Sequence, residues 1–130
     1  MGYRSEVAIK CESKAYDRFA KVFTQKEMWI KPDKILHDIE NDDYVIYWDW
    51  IKWYEDFEGV SAIQNVMSEL DEEHDGDADD QLGYRFMRLG EDDSDIETQE
   101  NTYDLELYMI RKIDIPEDWT EVTFDESVEV

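Results

Sequence analysis

The sequence predicts an α+β domain in which a mostly antiparallel sheet of four to five strands carries two amphipathic helices on one face. Three observations favour this class. Several segments alternate apolar and polar residues, two others repeat apolar residues at helical spacing, and no repeat or Gly/Ser/Pro-rich linker divides the 130 residues. A chain of this length can bury about two-thirds of its unfolded surface in one core, so residues 1–130 are predicted to form a single domain.

The N-terminal part of the chain predicts a strand, a helix and a shorter helix. Tyr3 to Cys11 alternates inward and outward residues, which is typical of a half-buried strand. Ser13 offers an N-cap for an amphipathic helix of about three turns. Its inward positions are Tyr16, Phe19, Ala20 and Phe23. The stretch "KPDKILHDIE" then predicts a short helix that starts near Pro32 and turns Ile35, Leu36 and Ile39 inward.

The rest of the chain predicts further strands around one long helix. The stretch "YVIYWDWIKWY" is apolar on both faces, as expected of a strand in the middle of a covered sheet. Apolar residues at helical spacing predict a helix from about Asp56 to Leu70. Strands are expected in "LGYRFMRLG" and in "TYDLELYMIRKIDI", with the acidic loop "EDDSDIETQEN" between them. The C-terminal tail, which contains Val122, is a further candidate edge strand.

Composition indicates a folded but strongly anionic protein. Apolar residues make up 42% of the chain, which has five Trp, eight Tyr and five Phe, too many for a disordered acidic segment. The net charge is −23, and it is unevenly distributed. Residues 1–40 hold eight basic and seven acidic side chains, whereas residues 41–130 hold five basic and 29 acidic ones. Such a surface repels nucleic acid and anionic lipid, and it attracts basic proteins.

Several chemical sites are disfavoured by the residues themselves. The stretch "DEEHDGDADD" resembles a calcium loop, but a register starting at Asp75 places Phe86 at the twelfth position, and one starting at Asp71 places Leu82 there. His37 and His74 have no His or Cys partners at metal-ligand spacing, and a single Cys11 excludes an internal disulfide. We therefore expect no metal, no cofactor and no catalytic residue.

The expected location is the cytoplasm. The N-terminus "MGYRSEVAIK" has no apolar signal region, and no window approaches the ~20 apolar residues of a membrane span.

The aromatic run around Trp48, Trp50 and Trp53, with Tyr47 and Tyr54, has two interpretations. It is either core packing or a platform on which a ligand stacks, and core packing is favoured. Readers of single-stranded nucleic acid surround such aromatics with positive charge, whereas the neighbours here are acidic.

Three stretches resemble sequences of small acidic proteins encoded by bacteriophages and other mobile elements. They are "MGYRSEV", "YWDWIKWYED" and "YRFMRLGEDDSDIE". In general character the chain is also similar to phage DNA-mimic inhibitors of the anti-restriction and anti-CRISPR types. The resemblance implies a non-enzymatic inhibitor in the host bacterial cytoplasm, and it carries over no catalytic residues.

The charge pattern leads to the same hypothesis. Carboxylates at i and i+4 of a helix lie about 5–6 Å apart, and those at i and i+2 of a strand about 6.6 Å, which is comparable to phosphate spacing. The chain is thus expected to occupy a basic nucleic-acid-binding site of a host protein. The acids expected to bind this partner are Asp71, Glu72, Glu73, Asp75, Asp77, Asp79, Asp80, Glu91, Asp92, Asp93, Asp95, Asp104 and Glu106.

Two other functions stay open. One is a regulatory or structural module that binds a protein through its Trp/Tyr-rich face, which requires Trp48 or Trp53 at the surface. The other is a small enzyme in which two buried carboxylates line a deep pocket.

Overall fold

Two helices lie on one face of an antiparallel sheet, as predicted. The computed structural model describes residues 2–24, 30–74, 80–92, 94–102 and 120–122. The elements in chain order are β1 (Ser5–Glu12), α1 (Ser13–Thr24), β2 (Lys34–Asp38), β3 (Asp43–Ile51), α2 (Glu58–Glu73), β4 (Tyr84–Gly90), β5 (Ile96–Glu100) and the two-residue β6 (Thr120–Glu121). The strand order is β5-β4-β1-β3-β2-β6. The predicted α+β class is confirmed.

The centre of the sheet is formed by β1 and β3. Val7 pairs with Trp48 and Ile9 with Ile46, and these side chains join the core beneath the helices. The adjacent residues Val45 and Ile46 are both fully buried, although they point to opposite faces of the sheet. The central, doubly covered strand predicted from the tryptophan-rich stretch is therefore confirmed.

The helices cover the core with the expected faces. In α1 the buried residues include the predicted Phe19 and Phe23, and Ser13 begins the helix. In α2 the apolar residues at helical spacing, which include Val60, Ile63 and Leu70, are buried as expected. This second helix continues to Glu73, which is three residues past the predicted end. The start of the stretch "DEEHDGDADD" is therefore helical.

Two predicted elements are wrong. The short helix expected from Pro32 is the strand β2, and Ile39, expected to face inward, is 68% exposed in the turn after it. The acidic loop expected between Gly90 and Thr102 contains the strand β5, which pairs with β4. The predicted strand "LGYRFMRLG" is β4, and it ends at Gly90 as expected.

The C-terminal edge of the sheet is partly described. Thr120–Glu121 pairs with β2, and the N–H of Val122 donates to the carbonyl oxygen of Ile35 at 2.7 Å. The strand predicted in "TYDLELYMIRKIDI" lies outside the described residues from its second position onward. None of the helices described is long and apolar enough to cross a membrane.

Candidate functional site

The acids predicted to bind a partner fall into two groups at opposite ends of β4. Near the beginning of β4, Asp71 accepts a hydrogen bond from the Tyr84 hydroxyl at 2.9 Å. Beyond its end, the carbonyl oxygen of Asp95 accepts from the N–H of Gly90 at 2.8 Å. A seven-residue strand spans about 20 Å, so one continuous patch does not form from the described acids. Six predicted residues lie outside the described ranges: Asp75, Asp77, Asp79, Asp93, Asp104 and Glu106.

The first group is the acidic helix end, formed by Asp71, Glu72 and Glu73 in the last turn of α2. All three residues are exposed. Glu73 forms a bidentate pair with Arg18 of α1, with distances of 2.5 and 2.9 Å from the guanidinium nitrogens to the carboxylate oxygens. Glu72 makes no hydrogen bond or ion pair with any residue that the structure describes. The acidic helix end thus presents two carboxylates that no cation of the described chain neutralises.

The position of this group in the helix is electrostatically unfavourable. The C-terminal end of a helix carries a partial negative charge, so carboxylates in the last turn are repelled. The last turn of α2 contains no basic residue of its own, whereas the first turn contains Glu58, where negative charge is favourable. The hydrogen bond from Arg18 of α1 lowers the pKa of Glu73, so it favours the carboxylate at this one position.

Asp80 lies between the two groups in sequence but is turned inward. Its carboxylate is 2.8 Å from Nδ1 of His74, and it accepts a hydrogen bond from the N–H of Leu82 at 2.9 Å. Asp80 therefore binds His74, just after α2, and Leu82, just before β4. Its charge is less accessible than the charges of the acidic helix end.

The second group is the β4–β5 turn, formed by Glu91, Asp92 and Asp95. Glu91 and Asp92 are exposed, and Glu91 accepts a hydrogen bond from the N–H of Arg4 at 2.6 Å. Asp95 is half-buried between Arg88, at 2.8 Å, and the Tyr3 hydroxyl, at 2.6 Å. Both donors lower the pKa of Asp95. Asp95 is therefore a structural anion of the turn, and Glu91 and Asp92 are its exposed charges.

A third acidic feature was not predicted from the sequence. Glu12 on β1 and Asp38 on β2 both pair directly with Asp43 on β3, and we call these three residues the carboxylate row. Neighbouring strands lie about 4.8 Å apart. Burial, together with the charges of Glu12 and Asp38, raises the pKa of Asp43 to about 6, although Lys10 acts in the opposite direction. Glu12 and Asp38 end their strands and Asp43 begins β3, but only the register shows that the three are adjacent.

The tryptophans divide between core and surface. Trp48 and Trp53 are 1% and 7% exposed, which confirms the core interpretation for both. Trp48 packs edge-on against Phe23, with ring centroids 5.7 Å apart. Trp50, two residues from Trp48 on the same strand, is 53% exposed. The aromatic-face hypothesis required Trp48 or Trp53 at the surface, and this requirement is not met.

The described part of the chain shows little that is suited to covalent or metal chemistry. Cys11 is buried, and burial raises the pKa of its thiol well above the ordinary value, so the reactive thiolate is disfavoured. Within the described ranges, no three His, Cys, Asp or Glu side chains are grouped so that they could hold a metal ion.

The fold and these surfaces define an acidic α+β domain. A comparison with family models, with curated proteins and with solved structures finds no significant match.

Proposed function

We propose that this chain is a non-enzymatic binding protein of the phage DNA-mimic type. It occupies the basic nucleic-acid-binding site of a host defence or DNA-processing protein, in the host cytoplasm, and competes with nucleic acid for that site. Restriction and CRISPR effectors are the partner classes that fit this proposal.

The observation that carries the proposal is the acidic helix end. Three exposed carboxylates stand where the helix dipole disfavours them. Arg18 of α1 pairs with Glu73, whereas no cation of the described residues pairs with Asp71 or Glu72. Surfaces that break a local stability rule are commonly functional, because selection for binding maintains what folding disfavours. A requirement for solubility alone would be met equally well by acids at favourable positions, such as Glu58 in the first turn of α2.

The described acids are spaced like the phosphates that the basic surface of a partner normally contacts. Glu69 and the unpaired Glu72 are three residues apart on α2, so their Cβ atoms lie about 5–6 Å apart. The carboxylate row repeats at about 4.8 Å across three strands. Lys and Arg side chains that normally contact successive phosphates would meet carboxylates at similar intervals, and long-range attraction would speed the encounter.

The test is capture of the partner on the immobilised full chain from bacterial lysate at low salt. The captured protein is then eluted separately with a salt gradient and with double-stranded DNA. Mimicry predicts release by DNA, and it predicts an affinity that falls about a hundredfold or more between 50 and 200 mM salt.

Matched double variants locate the binding surface. Asp71→Asn/Glu72→Gln and Glu91→Gln/Asp92→Asn each remove two exposed charges, and at least one is expected to weaken binding by about tenfold or more. Glu55→Gln/Asp56→Asn removes the same charge from the turn before α2 and serves as the control. Charge mimicry is ruled out if DNA fails to displace the partner, or if all three variants bind as the unmodified chain does.

A regulatory module that binds through its aromatic residues is the second candidate, because Trp50 is exposed. In that case Trp50→Ala would abolish partner capture, salt would have little effect, and DNA would not displace the partner.

A further inference from the structure

A cavity of about 520 Å³ opens beside Trp50, next to the N-terminal end of β1. Trp48, Trp50 and Phe57 contribute apolar surface to its lining. Its volume lies within the ~300–1,000 Å³ range of small-molecule sites in proteins. The cavity is distinct from the acidic helix end, since α2 begins near Phe57 and ends at Glu73.

The charge of the cavity is opposite to that of the protein. Three cationic side chains line it: Arg4, Lys31 and Lys52. Asp33 is the acid in the same lining, and its carboxylate accepts a hydrogen bond from the N–H of Asp49 at 2.7 Å. In a chain with a net charge of −23, the cavity is thus a local site of positive charge.

Arg4 is held at the position where it lines the cavity. Its Nη1 donates to the carbonyl oxygen of Trp50 at 3.3 Å, and its backbone N–H donates to Glu91 at 2.6 Å. The guanidinium is therefore held at the backbone of Trp50, in the lining that it shares with the Trp50 side chain, before any ligand arrives. A preorganised cation loses less entropy on binding than a free lysine side chain does.

Besides the positive charge of the cavity, the exposure of Trp50 is a second, independent observation that indicates a binding site. Burial of a large apolar side chain stabilises a fold, yet Trp50 leaves more than half of its surface in water. An exposed indole beside cations is a surface on which a planar ring stacks.

We infer that this cavity binds a small planar aromatic anion. The ring stacks on Trp50, and the carboxylate or phosphate is held by Arg4 and Lys52, with Lys31 beside them. The inference is independent of partner binding through the acidic surfaces, and either can fail without the other.

The experiment is calorimetric titration of the full chain with four probes. Adenosine 5′-monophosphate and indole-3-acetate each combine a ring with an anion, whereas adenosine supplies a ring alone and inorganic phosphate an anion alone. We expect saturable binding of one or both aromatic anions, about tenfold or more tighter than that of adenosine or phosphate. The preference between the two aromatic anions identifies a nucleotide or an aromatic carboxylate as the ligand source.

Variants assign the site. Trp50→Ala and Lys52→Glu should each weaken binding by about tenfold or more, and Trp50→Phe should retain most of it because a ring is kept. Lys14→Glu is the control, since Lys14 is exposed beyond the opposite end of β1 and the charge change is the same. The inference is overturned if no aromatic anion binds saturably, if the ring or the anion alone binds as well, or if Lys14→Glu weakens binding as much as Lys52→Glu.

Discussion

At the scale of single residues, Asp43 lies in a charge conflict that the sheet register creates. It is half-buried on β3, and its neighbours across both adjacent strands, Glu12 and Asp38, are also acids. Like charges that are directly opposite in a sheet destabilise it. Burial is the main cause of the rise in the pKa of Asp43 to about 6, and these neighbours add to it.

We expect Asp43→Asn to stabilise the protein at neutral pH. Between the ordinary pKa near 4 and the folded value of about 6, the folded state binds more protons than the unfolded state, so stability falls as pH rises through this window. Above pH 6 the unfavourable contribution is complete, and the Asn variant avoids it. The gain should be about 1 kcal/mol, because solvent screens a half-buried carboxyl.

The measurement is urea unfolding of both proteins from pH 4.5 to pH 7.5. The difference in the free energy of unfolding should grow with pH and level off above pH 6. Asp49→Asn, an exposed position on the same strand, serves as the control and should show no such growth. A constant difference at every pH would contradict the assignment.

The exposure of Trp50 could not be predicted from the periodicity of the sequence. Trp48 and Trp50 are two residues apart in β3 and both belong to one apolar stripe, so the pattern predicts the same environment for both. In the structure Phe23 of α1 packs against Trp48, whereas Trp50 is mostly exposed. The register between β1 and β3 shifts here, because Val7 pairs with Trp48 whereas Ser5 pairs with Ile51. Such an irregularity interrupts the alternation of faces next to Trp50, and the pattern within one strand does not encode it.

At the scale of elements, α2 has acids at both ends, and the two ends should respond oppositely to neutralisation. Glu72→Gln removes a charge that the C-terminal dipole repels, so the free energy of unfolding should rise by a few tenths of a kcal/mol. Glu58→Gln removes a charge that the N-terminal dipole attracts, so it should fall by a similar amount.

The two variants are matched controls, because both residues are exposed and both changes raise the net charge by the same amount. Chemical denaturation at low salt measures the difference between them. Since only Glu72 belongs to the acidic helix end, Glu72→Gln should combine higher stability with weaker partner binding. Equal stability changes in the two variants would show that net charge, and not the helix dipole, determines the effect.

The long amphipathic elements could be predicted from the sequence. The short strands β2 and β5 could not, because their conformation depends on pairing with neighbouring strands. In β2, Ile35 and Leu36 are both buried because this strand is covered on its two faces. Neighbouring apolar residues followed by Ile39 give the same pattern as a short helix, so the sequence alone does not separate the two. In β5 the residues are mostly polar, and the strand is held by pairing with β4, including Arg88 with Glu97 at 2.8 Å.

At the scale of the whole molecule, the asymmetry of charge along the chain is partly balanced in space. Residues 1–40 supply the central strand β1 and the helix α1, and cations from this region contact acids from the rest of the chain. Arg18 pairs with Glu69 and Glu73 on α2. The near-neutral N-terminal region thus supplies a central strand and a helix whose Arg18 pairs with acids of α2, which limits repulsion among those acids.

The exposure of most of these acids could be predicted from the sequence, but the inward positions of Asp80 and Asp95 and the grouping of the acids could not. Charged residues are rarely buried without a partner, so Glu72 and Asp92 were expected at the surface. Which carboxylates become neighbours depends on the direction of β4, which separates the acidic helix end from the β4–β5 turn. It also depends on strand register, which assembles the carboxylate row. These relations are tertiary and appear only after the chain has folded.

Salt should therefore act in opposite directions on folding and on partner binding. With a net charge of −23, repulsion among acids opposes the compact state, and raising NaCl from about 20 to about 300 mM reduces the screening length from about 20 Å to about 6 Å. The urea midpoint should rise while the slope of the free energy of unfolding against urea stays unchanged. The corresponding increase in the free energy of unfolding should be on the order of 1 kcal/mol. The variant Asp71→Asn/Glu72→Gln/Glu91→Gln/Asp92→Asn should gain less from salt, because it has less repulsion to screen. Two results would contradict this: a urea midpoint that falls with salt, or a variant that gains as much from salt as the unmodified chain. Either would mean that repulsion among these acids does not limit stability. The destabilising effect of these acids on folding would then no longer support a role in binding.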